Sequence, residues 1–196
     1  FFNAKLEILL VGDNRQATYS TNNSSKNKNQ KGKNIIDFFK EMEKEKICNI
    51  EYKQNSHRCK QCICDLADYL YPDMPETTSC NAKMTEHDGI FIVNNSKVEE
   101  YIKKYSPQIL RYNKSSKVEF GSPINFGLCK GSTYDRVLII PTGPIKNFLK
   151  TGNLKEIEKS IEKLYVAITR AKYSVAFLCD EKIDEKLKEK FEIKTY

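Results

Sequence analysis

Apolar residues along the chain either run continuously for four to six positions or return every three or four, and the two patterns take turns. Leu6 to Val11 reads LEILLV and stops at Gly12 and Asp13, as a buried parallel strand does where it meets its carboxyl-end loop. Ile35, Ile36, Phe39 and Met42 recur at helical spacing, and Cys48 to Tyr52 reads as a strand. A helix is predicted from Arg58 to Tyr71, ending where Pro72 removes a backbone donor. Residues 72–88, with Pro, Thr, Ser and Asn, predict a loop. Strands follow at Ile90 to Val93, Ile109 to Tyr112, Ile124 to Phe126 and Val137 to Ile140, with a helix at Val98 to Tyr105. Gly143 and Pro144 predict a turn and Gly152 a break. Ile157, Ile161, Leu164 and Ile168 then form one stripe of a long helix, before a last strand at Tyr173 to Leu178 and a charged helix from Glu181. This alternation predicts an α/β fold, a mostly parallel sheet with helices on both faces.

The stretch LYVAITRAK, Leu164 to Lys172, breaks the pattern. On the predicted helix Arg170 projects opposite the apolar stripe, with Val166 one turn before it. Either a partner or ligand covers that face, or an exposed arginine sits beside a stray valine. Upstream, the composition shifts from Thr21 to Asn34 to Asn, Ser and Lys, with Lys26, Lys28, Lys31 and Lys33 and no acid. A polar basic linker is therefore placed at 22–34, between a segment 1–21 and a domain 35–196. Its lysines either meet phosphates or are simply solvated.

Composition narrows the classes. The chain has 196 residues, 39% hydrophobic and 30% charged, which suits a globular protein with one sizeable core. No apolar run approaches the roughly 18 residues of a membrane span, and the opening FFNAKLEILLVGD lacks the features of a secretion signal. Seven cysteines without such a signal fit the reducing cytoplasm. Because it opens on a strand-like run without Met, the chain is expected to be part of a longer one. A net charge of +7 favours a polyanionic partner.

His57, Cys59, Cys62 and Cys64 have the spacing of a metal motif. Yet Cys59, Ile63, Leu66, Ala67 and Leu70 make one helical stripe, and ligands so spaced converge poorly on a tetrahedron, so no metal site is expected. His87, in Thr-Glu-His-Asp-Gly, is expected at the surface of a turn.

Four spots carry candidate chemistry: Gly12-Asp13-Asn14-Arg15-Gln16 with Tyr19; His57-Arg58; Lys130-Gly131 with Thr133, Tyr134 and Asp135; and Val166 to Ala171. LLVGDNRQATY resembles motif III of the UvrD/Rep-type superfamily 1 DNA helicases, SHRCKQCICDLAD motif IV, GLCKGSTYDRVLI motif V and KLYVAITRAK motif VI, in the family's order. The resemblance implies the second RecA-like motor lobe, preceded over 1–21 by the tail of the first. It assigns Arg170 and Arg58 to the γ-phosphate, with Val166 towards the cleft between lobes, and Gln16 as its sensor. It places Gly12, Asp13, His57, Gly131 and Thr133 on the nucleotide side, and Tyr19, Asn125 and Lys130, with Lys26 and Lys28 of the linker, on the DNA side. ATP and Mg²⁺ are the implied cofactors, and 3'-5' translocation the implied activity. Partners would be a first helicase lobe, single-stranded or partly duplex DNA, and a nuclease of the kind that accompanies helicase-like proteins in phage defence.

There are departures. His57 stands where the family has a nucleotide-stacking Tyr, Thr133 where it has Glu, and Asn125 and Gly127 where Thr and His are usual. Thr21-Asn22-Asn23-Ser24 replaces a base-stacking aromatic segment, and there is no Trp. The Gly-Lys-Thr/Ser phosphate loop and the Asp-Glu pair that handles Mg²⁺ are absent from this sequence, so the chain alone is expected to be inactive. The same departures leave open a non-catalytic interaction or DNA-sensing module.

Overall fold

The structure, a computed structural model, describes residues 7–18 and 35–196. The expectations for Tyr19, Lys26, Lys28 and the linker lie outside the described residues. Two compact units divide at Lys53/Gln54, and each is described by itself.

In the first unit a 3-10 turn, Asn14–Gln16, is capped by Asp13, whose carboxylate accepts from Arg15 N–H at 3.0 Å. Helix α1, Ile35–Lys44, follows where the spacing predicts it. Over the described residues 7–11 of LEILLV the expected buried strand does not form: they have no regular structure, and Leu9 and Val11 are 86% and 89% exposed. A strand exists only where neighbours take its N–H and C=O groups, and among the described residues this unit has no strand to offer them. Cys48 to Tyr52 is likewise irregular. Pairing starts later, where β1, Asn55–Ser56, runs parallel to β2, Thr78–Ser79.

The second unit is built on a six-stranded sheet of order β5-β4-β6-β7-β3-β8, all pairs parallel. Its strands are β3 (Gly89–Val93), β4 (Gln108–Arg111), β5 (Ile124–Asn125), β6 (Tyr134–Ile140), β7 (Ala171–Leu178) and β8 (Lys194–Thr195). Successive strand residues face opposite sides, so the central runs feed two cores. Phe91, Val93, Leu138 and Ala176 pack with Val98 and Tyr101 of α3, Val98–Tyr105. Ile90, Ile92, Val137, Ile139, Val175 and Phe177 pack on the other face with α2 (Gln61–Tyr69), α4 (Gly143–Thr151), α5 (Ile161–Ile168) and α6 (Glu185–Lys190). Burial on both sides is why β3, β6 and β7 read as continuous apolar runs and not as alternating ones. The α/β sheet with helices on both faces is thus the fold the sequence predicts.

Four helices differ from expectation, α6 among them, which starts at Glu185 and not at Glu181. Helix α2 starts three residues late, leaving His57 and Arg58 on a connecting segment. Helix α4 occupies the stretch read as a turn: Pro144 sits in its first turn, where no N–H partner is needed, and Ile145, Phe148 and Leu149 are buried. Gly152, at φ 68°, closes it by donating to Phe148 C=O. The long helix is divided into a 3-10 turn, Leu154–Ile157, and α5.

Helix α5 also corrects the reading of Val166. Leu164 to Ile168 are all buried, because α5 touches α2 as well as β6 and β7. Val166 is fully enclosed by this unit's own core, not turned towards a cleft or partner. Among the described residues no helix is long and apolar enough to cross a membrane.

Candidate functional site

In a parallel sheet the segments that precede the strands share one edge. Arg58 lies before α2, Ser132 before β6, and Thr169 and Arg170 before β7; the fold brings them together there. Arg58 Nη1 donates to Thr169 C=O at 2.9 Å. Arg170, only 3% exposed, lies beyond the end of α5 and does not project from a helix face. Its Nε donates to Val166 C=O at 3.0 Å, Nη1 to Ser132 C=O at 3.4 Å and Nη2 to Thr169 Oγ1 at 3.1 Å. Burial, and then the neighbouring Arg58 guanidinium, lower the Arg170 pKa from its usual value. Two partly desolvated cations this close favour an anion between or beside them.

The segment that leads into β6 completes this edge. Gly131 has φ +89°, and a Cβ there would meet nothing, so backbone conformation and not space calls for glycine. Thr133 and Lys130 are both exposed, and Tyr134 N–H donates to Arg170 C=O at 2.9 Å. His57 is exposed next to Arg58. Asn125 is not part of this cluster. It ends β5 at the opposite, carboxyl edge, where its Oδ1 accepts from Arg111 Nε at 3.1 Å. Residues 126–133, with Lys130, carry the chain from that edge to the arginines. Gly12, Asp13 and Gln16 belong to the first unit, where Gln16 Nε2 donates to Asp13 Oδ2 at 2.8 Å.

The cysteines pack as the helical stripe predicts. Cys59 and Cys64 are buried in the main core and Cys62 is half-buried at its margin. A hydrogen bond from Cys64 holds the Cys59 thiol below its ordinary value against the effect of burial. Among the described residues no group of three or more His, Cys, Asp or Glu side chains is placed to hold a metal. At the arginine edge itself, guanidinium groups are positively charged hydrogen-bond donors, which suits phosphate oxygens and not a cation.

Two residues escaped the sequence reading. Asn81 links the arginine-bearing segments. Its Nδ2 donates to Arg58 C=O at 2.7 Å and to Lys172 C=O at 3.4 Å. His87, expected at the surface, is 5% exposed. Its ring stacks between Phe91 and Tyr105, centroids 3.8 and 3.6 Å away, and its Nε2 lies 3.0 Å from Tyr101 Oη. An aromatic neighbour four positions along the chain, Phe91, was the one signal available in sequence.

No family model matches the chain, and no curated protein matches it. Among solved structures it is similar to the PRRSV helicase, with TM-score 0.44 and 20% identity over 68% of this chain and 24% of that one. Arterivirus nonstructural protein 10, a helicase also solved in complex with DNA, gives 0.41 and 16% over 64% of this chain and 25% of that one. The C-terminal domain of a possible DNA helicase from Lactobacillus plantarum WCFS1 gives 0.27 and 16% over 82% and 94%. The chain spans about a quarter of the length of these viral helicases. At these scores the chain traces overlap only in part, and the functional argument rests on this chain's own residues.

Proposed function

We propose that the chain is the second, RecA-like motor lobe of a UvrD-like, ATP-dependent DNA helicase or translocase. The observation that carries this reading is the meeting of Arg58, Arg170 and the Ser132 segment, three distant stretches of sequence, at one edge of the sheet. Phosphoryl transfer spreads charge over the equatorial oxygens of the transferred group, so what the protein supplies is positioned positive charge. Arginine keeps its charge when buried and can engage two oxygens at once. Carbonyls of Val166 and Ser132 hold the Arg170 guanidinium in a fixed plane, and Thr169 C=O anchors Arg58. Little reorganisation is then needed when the phosphate arrives.

The phosphate loop and the Mg²⁺ carboxylates would come from a first lobe, and Gln16, Gly12 and Asp13 would serve the nucleotide from that lobe's tail. His57, Gly131 and Thr133 would line the nucleotide side. Lys130 lies on the stretch running from Asn125 at the carboxyl edge to the arginines. A DNA contact there would be felt at the phosphate end through covalent chain, which is a physical route for coupling. Tyr19, Lys26 and Lys28 would extend the DNA path.

The test is ATP hydrolysis by the full-length protein with and without single-stranded DNA. DNA-stimulated turnover is expected; an unstimulated or absent rate would return the chain to a non-catalytic interaction or sensing module. A second measurement addresses the linker. Replacing Lys26, Lys28, Lys31 and Lys33 by Gln is expected to lower the slope of log K against log salt for single-strand binding, by about 0.7 for each phosphate no longer neutralised. An unchanged slope would assign those lysines to solvent.

A further inference from the structure

The two arginines reach the site from connecting segments and not from within a helix or strand. Arg58 precedes α2, Arg170 follows α5, and like charge pushes the pair apart. Besides the Arg58 Nη1 donation to Thr169 C=O, the two stretches of backbone are joined by a small set of neutral hydrogen bonds. Lys60 N–H donates to Lys172 C=O at 3.0 Å. A second tie is the side chain of Asn81, whose amide nitrogen donates to Arg58 C=O at 2.7 Å and to Lys172 C=O at 3.4 Å.

Asn81 is itself held. Its N–H donates to Ser79 Oγ at 3.1 Å, and its Oδ1 accepts from Lys83 N–H at 3.2 Å. Ser79 Oγ in turn donates to Cys59 C=O at 2.7 Å. Since Oδ1 takes a backbone donor, Nδ2 is the end that faces the two carbonyls, and a primary amide has the two hydrogens this needs. The short parallel ladder of β1 and β2 brings this loop alongside residues 54–60. A loop with no motif of its own thus reaches into the arginine site.

We infer that Asn81 is a positioning residue that sets the spacing of Arg58 and Arg170 by tying the backbone beside each of them. This rests on the reading of the arginines as phosphate ligands. Its effect would fall on turnover and not on nucleotide affinity, because alignment to the transferring phosphoryl group matters most in the transition state.

The experiment compares wild type with Asn81→Asp, Asn81→Ala and Asn81→Ser in the full-length protein, reading kcat and KM for ATP in the presence of DNA together with the thermal midpoint. Asn81→Asp keeps the shape but has no donor for the carbonyls; Asn81→Ser can still give one hydrogen bond. Expected is a fall in kcat of about 10- to 100-fold for Asp and Ala, with KM within about threefold of wild type. Serine should restore part of the rate. Wild-type kcat in Asn81→Asp overturns the inference, and so does a loss that tracks a lowered thermal midpoint with no recovery in serine. If Asn81→Asp does not fold, Asn81→Ala and Asn81→Ser decide on the same readings. Arg170→Ala, measured alongside, separates the two levels: wild-type turnover there overturns the arginine reading and this inference with it, whereas its collapse beside unaffected Asn81 variants overturns this inference alone.

Discussion

Arg170→Ala is expected to lower DNA-stimulated ATP turnover of the full-length protein by about 10³-fold or more, with nucleotide binding largely kept. The size follows from what an arginine does when charge builds on a transferring phosphoryl group in a site shielded from water. The side chain is 3% exposed and bonded to Val166, Ser132 and Thr169 oxygens, so removing it also leaves buried carbonyls short of a donor, at about 1–3 kcal/mol. Arg170→Lys controls for that. Lysine restores charge but lacks the planar fork, so it should regain stability before it regains rate. Turnover and thermal midpoint are read on the same preparations. Equal turnover in wild type and Arg170→Ala would refute the role.

How much of this was legible beforehand differs by element. Strands β3, β6 and β7 were legible because burial on both faces writes a continuous apolar run into the sequence, and α3 because its eight residues keep a helical period. The run LEILLV carries an equally strong signal and forms no strand over its described residues 7–11, since apolar character does not supply the neighbouring strands that a ladder requires. Helix α4 was missed because Gly143-Pro144 is at once a turn signal and a helix start; only Ile145, Phe148 and Leu149, meeting the core, decide between them.

The site was legible in a different way. Periodicity singled out Arg170 and then misplaced it, since the helix stops before it and Val166 is covered by α2 and the sheet. The motif resemblance named Arg58, Lys130 and Arg170, and Arg58 and Arg170 do share one edge, while Asn125, placed by the same resemblance on the DNA side with Lys130, ends up at the other. Asn81 was out of reach altogether. Its partners stand 23 and 91 positions away, and a single amide bonded to backbone leaves no pattern.

His87 gives the second large expected effect: acidification should cost the folded chain about 3 kcal/mol between pH 6.5 and 4. Burial lowers its pKa to about 4, helped by Arg136 of β6, Lys104 of α3 and Lys194 of β8 and opposed by Asp88. Above pH 6.5 the imidazole is neutral in both states and contributes no pH dependence. Below that value the unfolded chain takes up a proton that the folded chain refuses, so stability falls with pH until the folded-state pKa is reached. Burial and the surrounding cations explain the refusal. A proton would leave a charge between the Phe91 and Tyr105 faces, in a pocket already ringed by cations. His87→Phe keeps the stack and removes the titration, without the polar partner for Tyr101 Oη. Urea unfolding of wild type and His87→Phe at pH 7 and pH 4.5 separates the contributions, because acid effects from other groups are common to both. Wild type is expected to lose more than the variant, and parallel losses would remove His87 as the cause.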